Sequence, residues 1–193
     1  MLIILYLELE QGLERADWIT TVSPNYAREI QTPDYGCWLN EVLAYRHQRL
    51  SGIVNGLDTA IYNPETDSQI VQPYGVDSVH AGKLKNKQVL QEAVGLPVSR
   101  DARQANPPLF AMVSRLVGQK GVDFLLQAMT DILRENAFDV QWMILGSGEP
   151  RLERALADIS REHSNVSVFI GFNAKLAQQI YAGSDFFVMP SRF

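Results

Sequence analysis

Beyond Pro108, short apolar runs alternate with amphipathic stretches, and this alternation constrains the fold more than any other feature of the chain. Leu109–Val113 (LFAMV) is an apolar run that stops at Ser114-Arg115. A loop with Gly118, Lys120 and Gly121 follows, and a new apolar rhythm begins at Val122. This is the pattern of a buried strand, a glycine-bearing turn and a helix over Val122–Glu135. It recurs twice: residues 140–145 lead through Gly146-Ser147-Gly148-Glu149-Pro150 to a helix over 151–163, and Val166–Ile170 leads to a helix over 174–182. Residues 186–189 read as a fourth strand. Strands alternating with helices predict right-handed βαβ units, an α/β fold with a parallel sheet and helices on its faces. In such open sheets ligands bind beyond the carboxyl ends of the strands.

The first half is less regular. Residues 16–22 (ADWITTV) have strand composition, and Ser23-Pro24 reads as an N-cap with proline at the first helical position, opening a helix over 25–30. Residues 39–50 carry a helical apolar face, and 52–54 form a brief strand that stops at the Asn55-Gly56 turn. Residues 62–82 are rich in Pro, Asp, Gly and Ser and read as an ordered irregular excursion. A helix over 83–94 ends at Gly95. Residues 97–108 are polar, hold three prolines and read as a linker, so the chain divides there into 1–106 and 107–193. The opening MLIILYLELEQG is apolar for seven residues only and carries Glu8 and Glu10. It is neither a signal peptide nor a membrane span, and reads as the start of a strand or helix.

Charge and composition narrow the function classes. The net charge is −5, and of 17 Lys/Arg and 22 Asp/Glu, 8 and 9 lie from Pro107 onward. Neither half is basic, which argues against a nucleic-acid partner. Cys37 is the single cysteine, so no disulfide framework or thiolate metal cluster is available. His47, His80 and His163 lie far apart with no ligand spacing.

Arg115 and Lys120 are the first candidates for chemistry. Two cations at a strand end, beside a helix start, suit a phosphate-bearing ligand, and they stabilise charge that develops on a departing diphosphate. Two solvated charges on a βα loop fit the same spacing and are commoner. Gly146 and Gly148 stand where a backbone approaches a ligand closely, although Arg151 occupies the third glycine position of GxGxxG, and an ordinary tight turn fits as well. Asn55 offers an amide to sugar hydroxyls, or simply makes a turn. Phe172 suits stacking on a flat ring, or the core. Ser114, Ser147 and Ser191 lack His/Asp partners at recognisable spacing, so no hydrolase triad is seen.

Several stretches together resemble bacterial glycogen synthase and plant starch synthase, the ADP-glucose α-glucan glucosyltransferases. They are ADWITTVSP with YAREI, GIVNGLD, NPETD, SRL with QKG, GSGEP, AGSD and MPSRF, in the family's order. The resemblance implies the GT-B architecture, in which two Rossmann-like domains face each other. Residues 1–106 would be the end of the N-terminal acceptor-side domain with the linker, and 107–193 the first half of the C-terminal nucleotide-sugar domain. It implies that Arg115 and Lys120 bind the donor's phosphates and that Asn55 contacts the transferred glucose. Phe172 stands where the family usually has a tyrosine that stacks on adenine. Transfer would retain the α configuration with no metal and no cofactor, the partners being a nucleotide sugar and an α-glucan, with no nucleic acid and no membrane. The location implied is cytoplasmic, or plastid in a plant or alga.

Two departures accompany the resemblance. The family's lysine-glycine-glycine donor loop precedes Met1, and its glutamate-proline-cysteine-glycine stretch follows Phe193. As a fragment lacking both ends, the isolated chain is expected to make no polymer and, with apolar strand surface uncovered, to be poorly soluble or to associate. The alternatives are a non-catalytic nucleotide- or glucan-binding module of the same fold, and a related transferase using UDP-glucose.

Overall fold

The computed structural model describes residues 2–98, 106–135 and 138–192, with side chains from Leu7 onward. It divides into two compact units, Met1–Asp58 and Thr59–Phe193. Most of the polar linker expected at 97–108 lies outside the described residues.

In the first unit, helix α1 (Leu2–Arg15) precedes strand β1 (Ile19–Thr21), helices α2 (Pro24–Glu29) and α3 (Asn40–Tyr45), and strand β2 (Leu50–Gly52). The Ser23 N-cap forms as expected, its hydroxyl accepting from the Tyr26 amide at 3.0 Å. The helix expected over 39–50 stops at Tyr45. Residues 47–49 tighten into a 3₁₀ turn, and Leu50 pairs in parallel with Ile19. That pairing also moves the short strand from 52–54 to Leu50–Gly52. Gly52 is fixed by sterics, since a Cβ there would lie 1.9 Å from the Ser23 carbonyl oxygen. Ile19, Ile30, Val42 and Leu43 make the core of this unit.

The second unit carries helix α4 (Val79–Val94) and four parallel strands, β3 (Leu109–Val113), β4 (Gln141–Gly146), β5 (Val166–Ile170) and β6 (Phe186–Phe187), in the order β5-β4-β3-β6. Helices α5 (Val122–Glu135), α6 (Pro150–Glu162) and α7 (Ala174–Gly183) make the crossovers. The apolar runs read from the sequence are these strands because both faces of the sheet are covered. Met112, Ile144, Leu125, Met129 and Leu156 pack on one side, and Leu109, Ala111, Met143, Leu145, Leu90 and Ile180 on the other. Phe110 stacks on Trp142 and on Phe186, with centroids 5.0 and 4.8 Å apart. β6 is shorter than expected and sits at the edge, with Phe186 and Phe187 exposed.

Helix α4 belongs to this second unit through buried polar side chains. Asn86 accepts from the amides of Val71 and Gln72 and donates to the carbonyls of Gln72 and Gly82. Gln91 donates to Gln141 Oε1 at 2.6 Å, and Gln141 donates to the Pro97 carbonyl at 2.7 Å. The helix ends at Gly95, whose φ of +76° needs a residue without Cβ. Among the described residues no helix is long and apolar enough to cross a membrane.

Candidate functional site

The carboxyl ends of β3, β4 and β5 open onto a cavity of about 260 Å³, lined by Ser114, Arg115, Gly146, Ser147, Phe172 and Asn173 above an apolar floor of Val113, Leu145 and Ala177. Three residues selected from sequence, Arg115, Gly146 and Phe172, line this cavity, whereas Lys120 and Gly148 are not among its lining residues. Phe172 is 91% exposed, which removes the core reading and leaves a ring face open to solvent. No carboxylate lines the cavity among the described residues, so Arg115 gives it a positive wall. The polar groups near an apolar floor are those of a small-ligand pocket at strand ends.

Arg115 follows β3 directly and its guanidinium donates to Gln119 Oε1 at 3.3 Å. Lys120 closes the 3₁₀ turn Gly118–Lys120, which leads through Gly121 (φ +68°) into α5. That turn is held from two directions. The Gly118 amide donates to Glu149 Oε1 at 3.1 Å, and Arg192 donates its backbone amide to the Gln119 carbonyl at 3.0 Å. The Arg192 guanidinium pairs with Asp123 Oδ2 at 2.5 Å. A Cβ on Gly121 would meet the Pro190 carbonyl oxygen at 2.0 Å, so the segment after β6 lies directly against the turn.

The glycines of Gly146-Ser147-Gly148 are fixed by the chain itself. A Cβ on Gly146 would stand 1.9 Å from the Ser114 carbonyl oxygen, and one on Gly148 2.2 Å from that of Leu116. Leu116 and Gly148 form a parallel bridge, and the Leu116 amide donates to the Ser147 carbonyl at 2.9 Å. These glycines let the loops after β3 and β4 lie backbone on backbone. Gly146 reaches the cavity wall, whereas Gly148 lies behind it.

Asn55 is exposed in the irregular loop after β2, in the first unit. Sequence reading passed over Gln119, Asn173 and Glu149. The contact of Gln119 with Arg115 crosses a loop into a 3₁₀ turn, where no helical spacing marks it. Asn173 was legible as an N-cap, since its side chain accepts from the Leu176 amide at 2.9 Å. The contact of Glu149 spans 31 residues and left no local signal. Among the described residues no group of three or more His, Cys, Asp or Glu is placed to hold a metal ion.

Comparison with known proteins agrees with this fold. Residues 107–193 match the family model described as glycosyl transferases group 1, and residues 7–45 match that of the starch synthase catalytic domain. The chain is 46% identical over 186 residues to a glycogen synthase of Streptococcus sanguinis, covering 96% of this chain and 37% of that protein. It is 42% identical to a glycogen synthase of Rhodopirellula baltica, with 96% and 36% covered. The catalytic domain of starch synthase IV from Arabidopsis thaliana, solved bound to ADP and acarbose, superposes with a TM-score of 0.84 at 31% identity, covering 96% of this chain and 37% of that one. A glycosyltransferase of Rickettsia africae shares the fold at TM-score 0.58 and 14% identity, covering 95% of this chain and 41% of its own. The chain is thus similar to glycogen synthases and to a starch synthase along 96% of its own length, has the α/β fold of GT-B glycosyltransferases, and spans about 37% of the length of the curated relatives it matches.

Proposed function

We propose that this chain forms the donor-binding part of a retaining glucosyltransferase of glycogen or starch synthesis, which transfers glucose from ADP-glucose to the non-reducing end of an α-1,4-glucan. The observation that carries the reading is the cavity at the ends of β3, β4 and β5, which Arg115 and the exposed ring of Phe172 both line. In this reading Phe172 stacks on the adenine, and Arg115 with Lys120 takes the diphosphate. As the bond between the anomeric carbon of glucose and the phosphate oxygen breaks, negative charge gathers on the departing ADP, and two preorganised cations stabilise it as a metal ion does in other transferases. Asn55 contacts the transferred glucose, Gly146 lines the cavity, and Gly148 lets the loop beside it close on the β3 loop. Residues 1–106 are the end of the acceptor-side domain with the linker, within which α4 packs with the strands of 107–193, and 107–193 are the first half of the nucleotide-sugar domain. The location is the cytoplasm, or the plastid in a plant or alga, and the partners are a nucleotide sugar and an α-glucan. The ADP and acarbose bound by the starch synthase IV domain support this choice of ligands.

Calorimetry with ADP tests the reading on the 193-residue chain. Arg115→Ala and Lys120→Ala should each weaken ADP about tenfold or more, the loss expected for a hydrogen bond between charged groups. ADP affinity unchanged in both variants overturns it, and tighter binding of UDP than of ADP moves the donor to UDP-glucose.

A further inference from the structure

The turn that carries Lys120 is short, polar and close to solvent, so its conformation depends on what holds Gly118 and Gln119. Gly118 opens the 3₁₀ turn, and its amide has no partner within that turn because it lies at the N-terminal end. The partner comes from another loop. Glu149 Oε1 accepts the Gly118 amide at 3.1 Å, and the Glu149 backbone amide donates to the Leu116 carbonyl at 2.8 Å. Glu149 therefore grips the β3 loop at two points, one on each side of Val117. The loop of Glu149 is itself secured, because the Gly148 amide donates to Glu153 Oε1 at 2.7 Å on the first turn of α6.

We infer that Glu149 is a positioning residue for the diphosphate: by capping the Gly118 amide it sets the turn that presents Lys120, without touching the ligand. Glu149 is not among the residues that line the cavity. Its negative charge favours the amide-rich start of the turn for the same reason that acidic residues favour helix N-termini. The inference rests on the donor reading above, because it takes Lys120 to bind phosphate.

Nucleotide binding to the full 193-residue chain tests it, with ADP and AMP compared on wild type, Glu149→Ala, Glu149→Gln and Lys120→Ala. Removing the acceptor in Glu149→Ala should weaken ADP about tenfold while AMP changes less than about twofold, because AMP lacks the second phosphate. Glu149→Gln keeps an acceptor oxygen and should restore ADP affinity to within about threefold of wild type. Glu149→Ala that keeps the wild-type ratio of ADP to AMP affinity, or loses both ligands equally, overturns the inference. Failure of Glu149→Gln to restore ADP overturns it too. If Lys120→Ala leaves ADP binding intact while Arg115→Ala weakens it, this inference falls and the donor reading stands; if both variants bind ADP like wild type, the donor reading falls as well.

Discussion

Lys87 Nζ lies 2.6 Å from Asp185 Oδ2, joining α4, which precedes the polar linker, to the turn before β6. The Lys87 side chain is only 5% exposed and also donates to the Pro107 carbonyl at 2.6 Å, while Asp185 accepts the Leu109 amide at 2.7 Å. One ion pair thus fixes the entry to the central strand. Replacing Lys87 by Met takes the Nζ donor from the Pro107 carbonyl and leaves the Asp185 carboxylate with the Leu109 amide but without its ion-pair partner. Because Asp185 is 37% exposed, water recovers part of the loss, and a destabilisation of about 2–3 kcal/mol is expected in urea unfolding.

The exposed ring of Phe172 separates binding from folding. Phe172→Ala should weaken ADP about tenfold through lost stacking and leave the melting temperature within about 2 °C of wild type, since little is buried there. Phe172→Tyr keeps the ring and should bind ADP like wild type. Calorimetry and thermal unfolding read both.

The opposite separation holds at Gly146 and Gly148. A methyl group at either position meets a backbone carbonyl of the β3 loop, 1.9 Å and 2.2 Å away, and a backbone cannot rotate aside. Gly146→Ala and Gly148→Ala should each lower stability by about 2 kcal/mol or more in urea unfolding, with or without nucleotide present. Wild-type stability in both would show that the loops are looser than the close approach requires.

Alkaline pH should weaken the fold through Tyr181. Burial raises its phenol above the ordinary value, and nearby Tyr62 raises it further. A phenol raised in the folded state adds stability that is whole below pH 10 and is lost as pH rises from there through the folded value. Stability followed by urea unfolding should therefore fall above pH 10, and Tyr181→Phe should make that fall shallower. An identical pH profile for the variant would count against it.

Much of the second unit was legible in sequence because its pattern and its packing agree. The apolar run Leu109–Val113 and the amphipathic stretch Val122–Glu135 became β3 and α5 with those bounds, as both sheet faces are covered and α5 turns one face inward. Strand β4 begins at Gln141, a polar residue that no periodicity marks as buried, since its partners Gln91 and Pro97 come from far along the chain. The first unit was harder. Leu50 reads as the last apolar position of a helix until it meets Ile19, and a long-range pair overrides a local rhythm. At the site, Arg115 and Phe172 were legible because strand ends follow from strands. What holds the turn of Lys120 was not, because Glu149 and Arg192 reach it from other loops.

The strand order β5-β4-β3-β6 has a consequence for how this unit is made. β3 is its first strand in sequence, yet it lies between the second strand and the last, and both α4 and β3 are tied to the turn before β6 by Asp185. A chain emerging from the ribosome therefore has to keep one edge of β3 open through three helices and two strands before β6 covers it. Folding of this unit should be late and concerted, with α4 and β3 secured together when residues 174–192 arrive.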